Sequence, residues 1–392
     1  MRIGIDCLRI DPAYVGGVNT FTLGLLGGFA AVANGHRFNL YVTDENQELF
    51  SSFEREPGFQ LVATSGRSLR ARKRICQAAL LSRSSELYRL TSNLAYNEIQ
   101  TAMDAGSDIM YTPTVVLQSF SSRRPTVLSM HDIQHVHYPE FFSWDKRLSR
   151  TITYSLSARY AHCLQASSEF IKKDVLTHMS PKRVEIIPEG VTIEDFTKRK
   201  DISRLRERYG LPKRFLFCPA QLWLHKNHLT MLAALKEIEK REGLQIPLVM
   251  TGASFSAAPG ILKFISEQNM SYVRYLGKVP FEDMVALYQS CDFLISASLY
   301  ESSSLPVLEA AAAGAPIIAS NIPSHEELGK RLQINSFAAR DIADLVRVLL
   351  SLWDDKAKAS AQAAHNRENI AFYSWSNVAR QYLSLFDQIL AA

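Results

Sequence analysis

The chain has 392 residues, 47% of them hydrophobic, which is enough apolar material for sizeable cores and a length that points to two or three domains. Its 44 basic and 39 acidic side chains leave a net charge of +5, too mild for a dedicated nucleic-acid binder and compatible with an anionic small molecule or lipid surface. Five scattered cysteines without C-x-x-C spacing argue against zinc or a disulfide framework and predict buried free thiols in a reducing cytosol.

Met1-Arg-Ile-Gly-Ile-Asp6 enters a strand pattern directly, without the layout of a signal peptide. The weakly polar run Leu23 to Ala33 is too short to span a bilayer, which takes roughly 18 or more apolar residues. Short apolar runs then alternate with amphipathic stretches, the pattern of a parallel α/β architecture. In the first half, strands are predicted at Arg2–Cys7, Phe38–Thr43, Asp108–Thr112, Thr126–Met130, His162–Gln165 and Val184–Pro188. Helices are predicted at Val18–Ala33, Ser68–Met103, Trp144–Tyr160 and Glu169–His178. The charge-dense stretch from Asp195 to Arg208, Arg199 included, reads as a linker and a solvated first helix.

The second half restarts the pattern. Strands are predicted at Arg214–Pro219, Ile246–Thr251, Val273–Leu276, Phe293–Ser296 and Pro316–Ser320. Helices are predicted at Leu229–Arg241, Gly260–Gln268, Phe281–Gln289 and Leu305–Ala313. After Ser336 the chain is expected to be helical, over Ile342–Trp353, Asp355–Glu368 and Trp375–Leu390. The result is two doubly wound domains, each presenting the C-terminal ends of its strands to a shared cleft.

Glu301-Ser-Ser-Ser-Leu-Pro-Val-Leu-Glu309 is the most informative segment. Leu305 and Pro306 open a helix that the following alanines propagate and that Gly314 and Pro316 close. A helix start offers unpaired N–H groups and a positive dipole end, which suits a phosphate. A carboxylate on either side could hold sugar hydroxyls. Three further segments sit at strand ends. Gly16-Gly17 precedes a helix, and is either a close backbone approach to a phosphate or a simple turn. His131-Asp132 follows a strand, where the histidine either touches substrate or is structural. His131, His135 and His137 lack zincin spacing and a companion cysteine, so no metal site is expected. Trp223-Leu-His-Lys226-Asn227-His228 puts a lysine just before a helix, unfavourable for the dipole unless an anion is present, although a solvated loop explains it equally. The basic run Arg67, Arg70, Arg72, Lys73 and Arg74, leading into Ile75 and Leu81, is either a solvated helix face or a segment lying on an anionic membrane over residues 67–81. D-x-D triplets, P-loops and nucleophile elbows are missing.

Taken together and in order, these residues resemble the retaining, GT-B-fold glycosyltransferases of family 4 (group 1), of the bacterial surface-polysaccharide type. The strings that carry the resemblance are Gly16-Gly17, His131-Asp132-Ile-Gln-His135 with Pro139-Glu-Phe-Phe142, Glu189-Gly190-Val191, His225-Lys226-Asn227-His228 and the Glu301/Glu309 pair. The resemblance implies two Rossmann-like domains facing a central cleft: residues 1–195 with a C-terminal helix, 375–392, crossing back to bind the acceptor, and residues 196–374 to bind the donor. It implies that Glu301, Lys226 and His131 serve the reaction, with Glu301 on the sugar hydroxyls, Lys226 against the diphosphate and His131 beside the sugar. It places Glu309 on the ribose, backbone N–H groups of Ser304 and Leu305 on the pyrophosphate, and Ser303, Gly16, Gly17, Gln221 and Asn227 around the donor.

The implied activity moves a hexose, with mannose weakly preferred, from a nucleotide-diphosphate sugar to a saccharide or lipid-linked acceptor. It uses no metal or other cofactor and takes place in the cytoplasm or at the inner face of its membrane. Two departures stand out. Gln221 occupies a position where many relatives carry arginine, so that charge is either absent or supplied elsewhere, with Arg274 and Lys278 the candidates. Ser302-Ser303-Ser304 replaces a Gly-aromatic-Gly, and serine resists the positive φ that glycine permits. They keep two other readings open, a non-catalytic nucleotide-sugar-binding subunit and a GT-B-fold nucleotide-sugar epimerase.

Overall fold

The computed structural model describes residues 1–13, 16–32, 35–198 and 200–392. Ala33, at the expected end of the first helix, and Arg199, in the expected linker, lie outside the described residues. The chain forms two compact units, Met1–Gly190 with Trp375–Ala392, and Val191–Ser374. The division falls ahead of residue 195 because Val191 already belongs to the second unit, donating its N–H to the Tyr373 carbonyl at 2.8 Å and bridging Ser374.

The first unit is built on a seven-stranded parallel sheet: β1 (Arg2–Asp6), β2 (Arg37–Thr43), β3 (Phe59–Thr64), β4 (Ile109–Thr112), β5 (Thr126–Met130), β6 (Cys163–Ala166) and β7 (Val184–Ile186). Its order is β3-β2-β1-β4-β5-β6-β7, so the winding reverses between β1 and β4. The helix Gly17–Val32 buries Phe21, Leu25, Leu26 and Phe29 along one stripe. The C-terminal helix Trp375–Ala391 packs in the same core through Val378, Ala379, Tyr382, Leu385 and Phe386. Each such burial stabilises by roughly 1.5–3 kcal/mol. Close approach here requires glycine: a Cβ on Gly28 would stand 2.4 Å from the Trp375 carbonyl oxygen.

The second unit carries a six-stranded parallel sheet: β8 (Leu216–Pro219), β9 (Leu248–Thr251), β10 (Val273–Tyr275), β11 (Phe293–Ser296), β12 (Ile317–Ser320) and β13 (Asn335–Phe337). Its order is β10-β9-β8-β11-β12-β13, reversing between β8 and β11. Alanine-rich helix faces cover one side, and helices rich in Leu, Ile and Val the other.

Three expectations need correction. β3 and β13 are additional strands that no apolar run predicted, β13 taking in Ser336 before the helix that starts, as expected, at Ile342. Both are edge strands in which a single residue, Phe59 or Phe337, is buried, so neither shows the continuous apolar run of a central strand. The long helix expected over 68–103 is two, Gly66–Leu81 and Ser85–Gly106. Arg83 adopts a left-handed φ of 58°, and the Ser84 hydroxyl caps the second helix by accepting from the Leu87 N–H at 3.2 Å. The linker is two short helices, Ile193–Thr197 and Ile202–Tyr209, anchored by buried Phe196 and Leu205. All five cysteines are buried and unpaired, and no described helix is long and apolar enough to cross a membrane.

Candidate active site

In an open parallel sheet, ligands collect beyond the carboxyl ends of the strands where the winding reverses. In the second unit that point lies between β8 and β11. The chain leaves β8 into the 3-10 turn Leu224–Lys226, and leaves β11 toward Glu301. The two loops are tied by the Leu299 N–H, which donates to the His225 carbonyl at 2.7 Å. Lys226 Nζ thereby meets Glu301 Oε1 at 2.5 Å, with 16% and 13% of the two side chains exposed. Ser298 Oγ donates to the same carboxylate oxygen at 2.6 Å. Burial would push the Glu301 carboxyl up, but Lys226 and His225, with the Lys226 and Ser298 hydrogen bonds, outweigh it and hold the group below its ordinary value.

The helix Leu305–Ala313 begins four residues after Glu301. Its cap, Ser304, accepts the Val307 and Leu308 N–H groups on its carbonyl. The Ser304 hydroxyl is buried without a hydrogen-bond partner among the described residues. One turn into the helix, Glu309 Oε2 accepts from the Tyr288 hydroxyl at 2.5 Å. Burial lifts the Glu309 carboxyl to about 7, with the Tyr288 bond acting against the rise. None of Ser302, Ser303 and Ser304 takes a positive φ, and Ser304 lies at φ −131°. The serine triplet is therefore accommodated without the backbone that glycine would supply.

Asn227 does occupy the left-handed region (φ 55°, ψ 39°), opening the helix His228–Glu242 while its Oδ1 accepts from Thr230 at 2.8 Å. Asparagine is among the few residues that visit this region readily. Gln221 Oε1 accepts from Trp223 Nε1 at 3.0 Å, and the Trp223 ring stacks on Phe255 at 3.9 Å. Arg274 does not supply the charge absent at Gln221, because its guanidinium lies against Gly210, ahead of β8. Lys278 is exposed in the loop after β10.

In the first unit, Gly16 and Gly17 start the helix Gly17–Val32, and the Gly16 carbonyl accepts from Asn19 and Thr20 at 3.0 and 3.2 Å. His131, at the end of β5, is buried edge-on to Phe21 with ring centroids 4.9 Å apart. Its Nε2 meets the Pro113 carbonyl at 2.7 Å, and Nδ1 faces Glu189 at 3.8 Å. Burial opposes its protonation, yet Glu189, the Pro113 carbonyl and Asp132 together raise its pKa. The three histidines of this segment are not gathered. His135 packs on Tyr154 and is lowered to about 4 by burial and the nearby Arg150, whereas His137 meets Asp174.

Sequence reasoning missed the supporting residues. Ser298 and Tyr288 carry no motif of their own, and Glu189, recognised only within the Glu189-Gly190-Val191 string, had no role assigned to it. Ser320, whose hydroxyl donates to the Ser298 carbonyl at 2.6 Å, and His325, whose Nδ1 meets the Ser320 carbonyl at 2.8 Å, also belong here. Their position just after β11 and β12 was the available signal.

The description "Glycosyl transferases group 1" matches residues 201–370, and "Glycosyltransferase Family 4" matches residues 15–195. The chain belongs to the GT-B-fold glycosyltransferases of family 4, group 1. Among curated relatives of this family-4 chain, the serotype-specific mannosyltransferase WbdA of Escherichia coli is 24% identical over 362 residues, 89% of this chain. The chain spans 42% of that relative's length. The O-antigen chain mannosyltransferase B of Escherichia coli is 23% identical over 267 residues, 66% of this chain and 69% of the relative. Anabaena HepE, solved in complex with UDP and glucose, shares the fold with a TM-score of 0.74 and 17% identity, over 99% of this chain and all of that one.

Proposed function

We propose that this glycosyltransferase is a retaining hexosyltransferase. It passes a sugar from a nucleotide diphosphate to a saccharide or lipid-linked acceptor in bacterial surface-polysaccharide synthesis. The observation that carries the reading is the Lys226–Glu301 pair at the β8/β11 reversal, beside the start of the Leu305–Ala313 helix. Cation, open helix terminus and carboxylate are the three things a sugar diphosphate asks for. Mannose is favoured because the relatives WbdA and O-antigen chain mannosyltransferase B are described as mannosyltransferases.

In this reading Lys226 leaves Glu301 for the diphosphate, helped by the N–H groups of Ser304 and Leu305 and by the unpartnered Ser304 hydroxyl. Ser303, Gln221 and Asn227 line the donor. Glu301, still held by Ser298, accepts from the sugar hydroxyls, and Glu309 accepts from the ribose. On the first unit, the same reading assigns Gly16, Gly17 and His131 to substrate binding. The bond from the anomeric carbon to the diphosphate oxygen breaks as the acceptor hydroxyl attacks from the same face. The departing diphosphate oxygen takes the hydroxyl proton, so no protein nucleophile and no resident metal is required. Negative charge grows on the diphosphate in the transition state, where preorganised donors count most.

The lipid side of the reading rests on the helices Gly66–Leu81 and Ser85–Gly106. Ile75 and Leu81 are exposed on the first, beside Arg67, Lys73 and Arg74. Leu87, Leu90 and Leu94 form a stripe on the second, with Leu94 80% exposed. Apolar side chains interleaved with cations suit the anionic inner face of a cytoplasmic membrane. A thermal-shift panel of GDP, UDP, dTDP and ADP tests the donor reading. At least one should raise the melting temperature, and a flat response to all four would overturn it.

A further inference from the structure

We propose that His137, Asp174 and His178, in the first unit, form a binding site for a divalent transition-metal ion. The helix Glu169–His178 carries Asp174 and His178 four residues apart, on one face. The short helix Gln134–His137 delivers the third donor. His137 Nε2 lies 2.8 Å from both Asp174 oxygens, and His178 Nε2 lies 3.6 Å from Asp174 Oδ1. One donor atom from each residue falls within 4.8 Å of the other two.

Two ligands each about 2.0–2.2 Å from a zinc or nickel ion sit roughly 3.0–3.4 Å from one another. The two separations from Asp174 bracket that range, and the two imidazole nitrogens lie within 4.8 Å of each other, so side-chain movement would seat an ion. The chemistry is also right: two imidazoles and a carboxylate suit Zn²⁺, Ni²⁺ or Co²⁺, and no thiolate is involved. Asp174 is buried, whereas His137 and His178 keep 33% and 37% of their side chains exposed. The carboxylate anchors the site and the imidazole side leaves an entry path with open coordination positions for water.

The ion would clip the strand-end segment after β5, which begins with His131, onto the helix Glu169–His178. Sequence reasoning dismissed a metal here because it considered only His131, His135 and His137. The partners lie 37 and 41 positions downstream of His137, where no spacing rule finds them.

The test uses the full chain stripped with a chelator and titrated separately with ZnCl₂, NiCl₂ and CoCl₂ by calorimetry. The melting temperature and the visible spectrum of the Co²⁺ form are followed in parallel. One ion per chain should bind with micromolar affinity and raise the melting temperature. The Co²⁺ spectrum should show nitrogen and oxygen ligation without thiolate bands. His178→Gln, at a partly exposed position that folding tolerates, should weaken binding at least tenfold. His162→Ala, at an exposed histidine elsewhere in the same unit, should not. Absence of saturable binding, or equal binding by His178→Gln, would show that the cluster is only a histidine–aspartate ion pair and would overturn the proposal.

Discussion

Replacing Lys226 by alanine removes the cation from the best-defined contact of the proposed donor site. In the unliganded protein Glu301 keeps only Ser298 of its two close donors, in a position where 13% of its side chain is exposed. A buried group left short of a partner costs about 1–3 kcal/mol, and a domain of this size loses roughly 2–4 °C of melting temperature per kcal/mol. The protein should therefore still fold, with a melting temperature a few degrees lower. Turnover should suffer more, because the leaving diphosphate loses a preorganised charge, typically worth ~10²–10³ in rate. Steady-state transfer measured beside a circular-dichroism melt separates the two effects. Lys226→Ala should fall at least a hundredfold in kcat with its far-ultraviolet spectrum unchanged. Turnover within about tenfold of the parent would refute the phosphate role of Lys226.

The Glu309 carboxyl, lifted to about 7 by burial, should make donor affinity depend on pH. In the proposed ribose contact the ionised form is the better acceptor, so the donor KM should fall as pH rises from 6 to 8, and Glu309→Gln should flatten that profile. Stability has the opposite sign: the folded state holds this proton more tightly than the unfolded chain, so the group's contribution declines as pH rises from the ordinary 4.5 toward about 7. Leu90→Glu with Leu94→Glu should abolish cosedimentation with phosphatidylglycerol vesicles while leaving nucleotide binding intact. Gly28→Ala should lower stability by about 1–3 kcal/mol through overpacking, read from urea unfolding, because its Cβ would meet the Trp375 carbonyl.

Much of this was legible in the sequence because buried parallel strands are continuous apolar runs. Thr126–Met130, Phe293–Ser296 and the helices Trp144–Tyr160, Glu169–His178 and Leu305–Ala313 appear with the bounds the pattern predicts. The half-solvated edge strands β3 and β13 carry no such run and were missed. The break at Arg83 depends on one left-handed residue that no periodicity announces. In the candidate site, motif-bearing residues were legible in the sequence and most of their supporting partners were not. Lys226, Glu301, Ser304 and Glu309 sit on recognisable segments, as does Glu189, whose contact with His131 only the structure shows, whereas Ser298 and Tyr288 become visible only as hydrogen-bond partners. The serine triplet appeared strained while glycine was the reference, and the backbone removes that concern.

The carboxyl ends of β8 and β11 are proposed to hold a nucleoside diphosphate. Calorimetric titration of the full chain with GDP, UDP, dTDP and ADP tests it most directly, repeated on Lys226→Ala and Glu309→Ala. One diphosphate should bind saturably, one per chain, and each variant should weaken it at least tenfold. Failure of all four to bind, or binding that neither variant disturbs, would contradict the account.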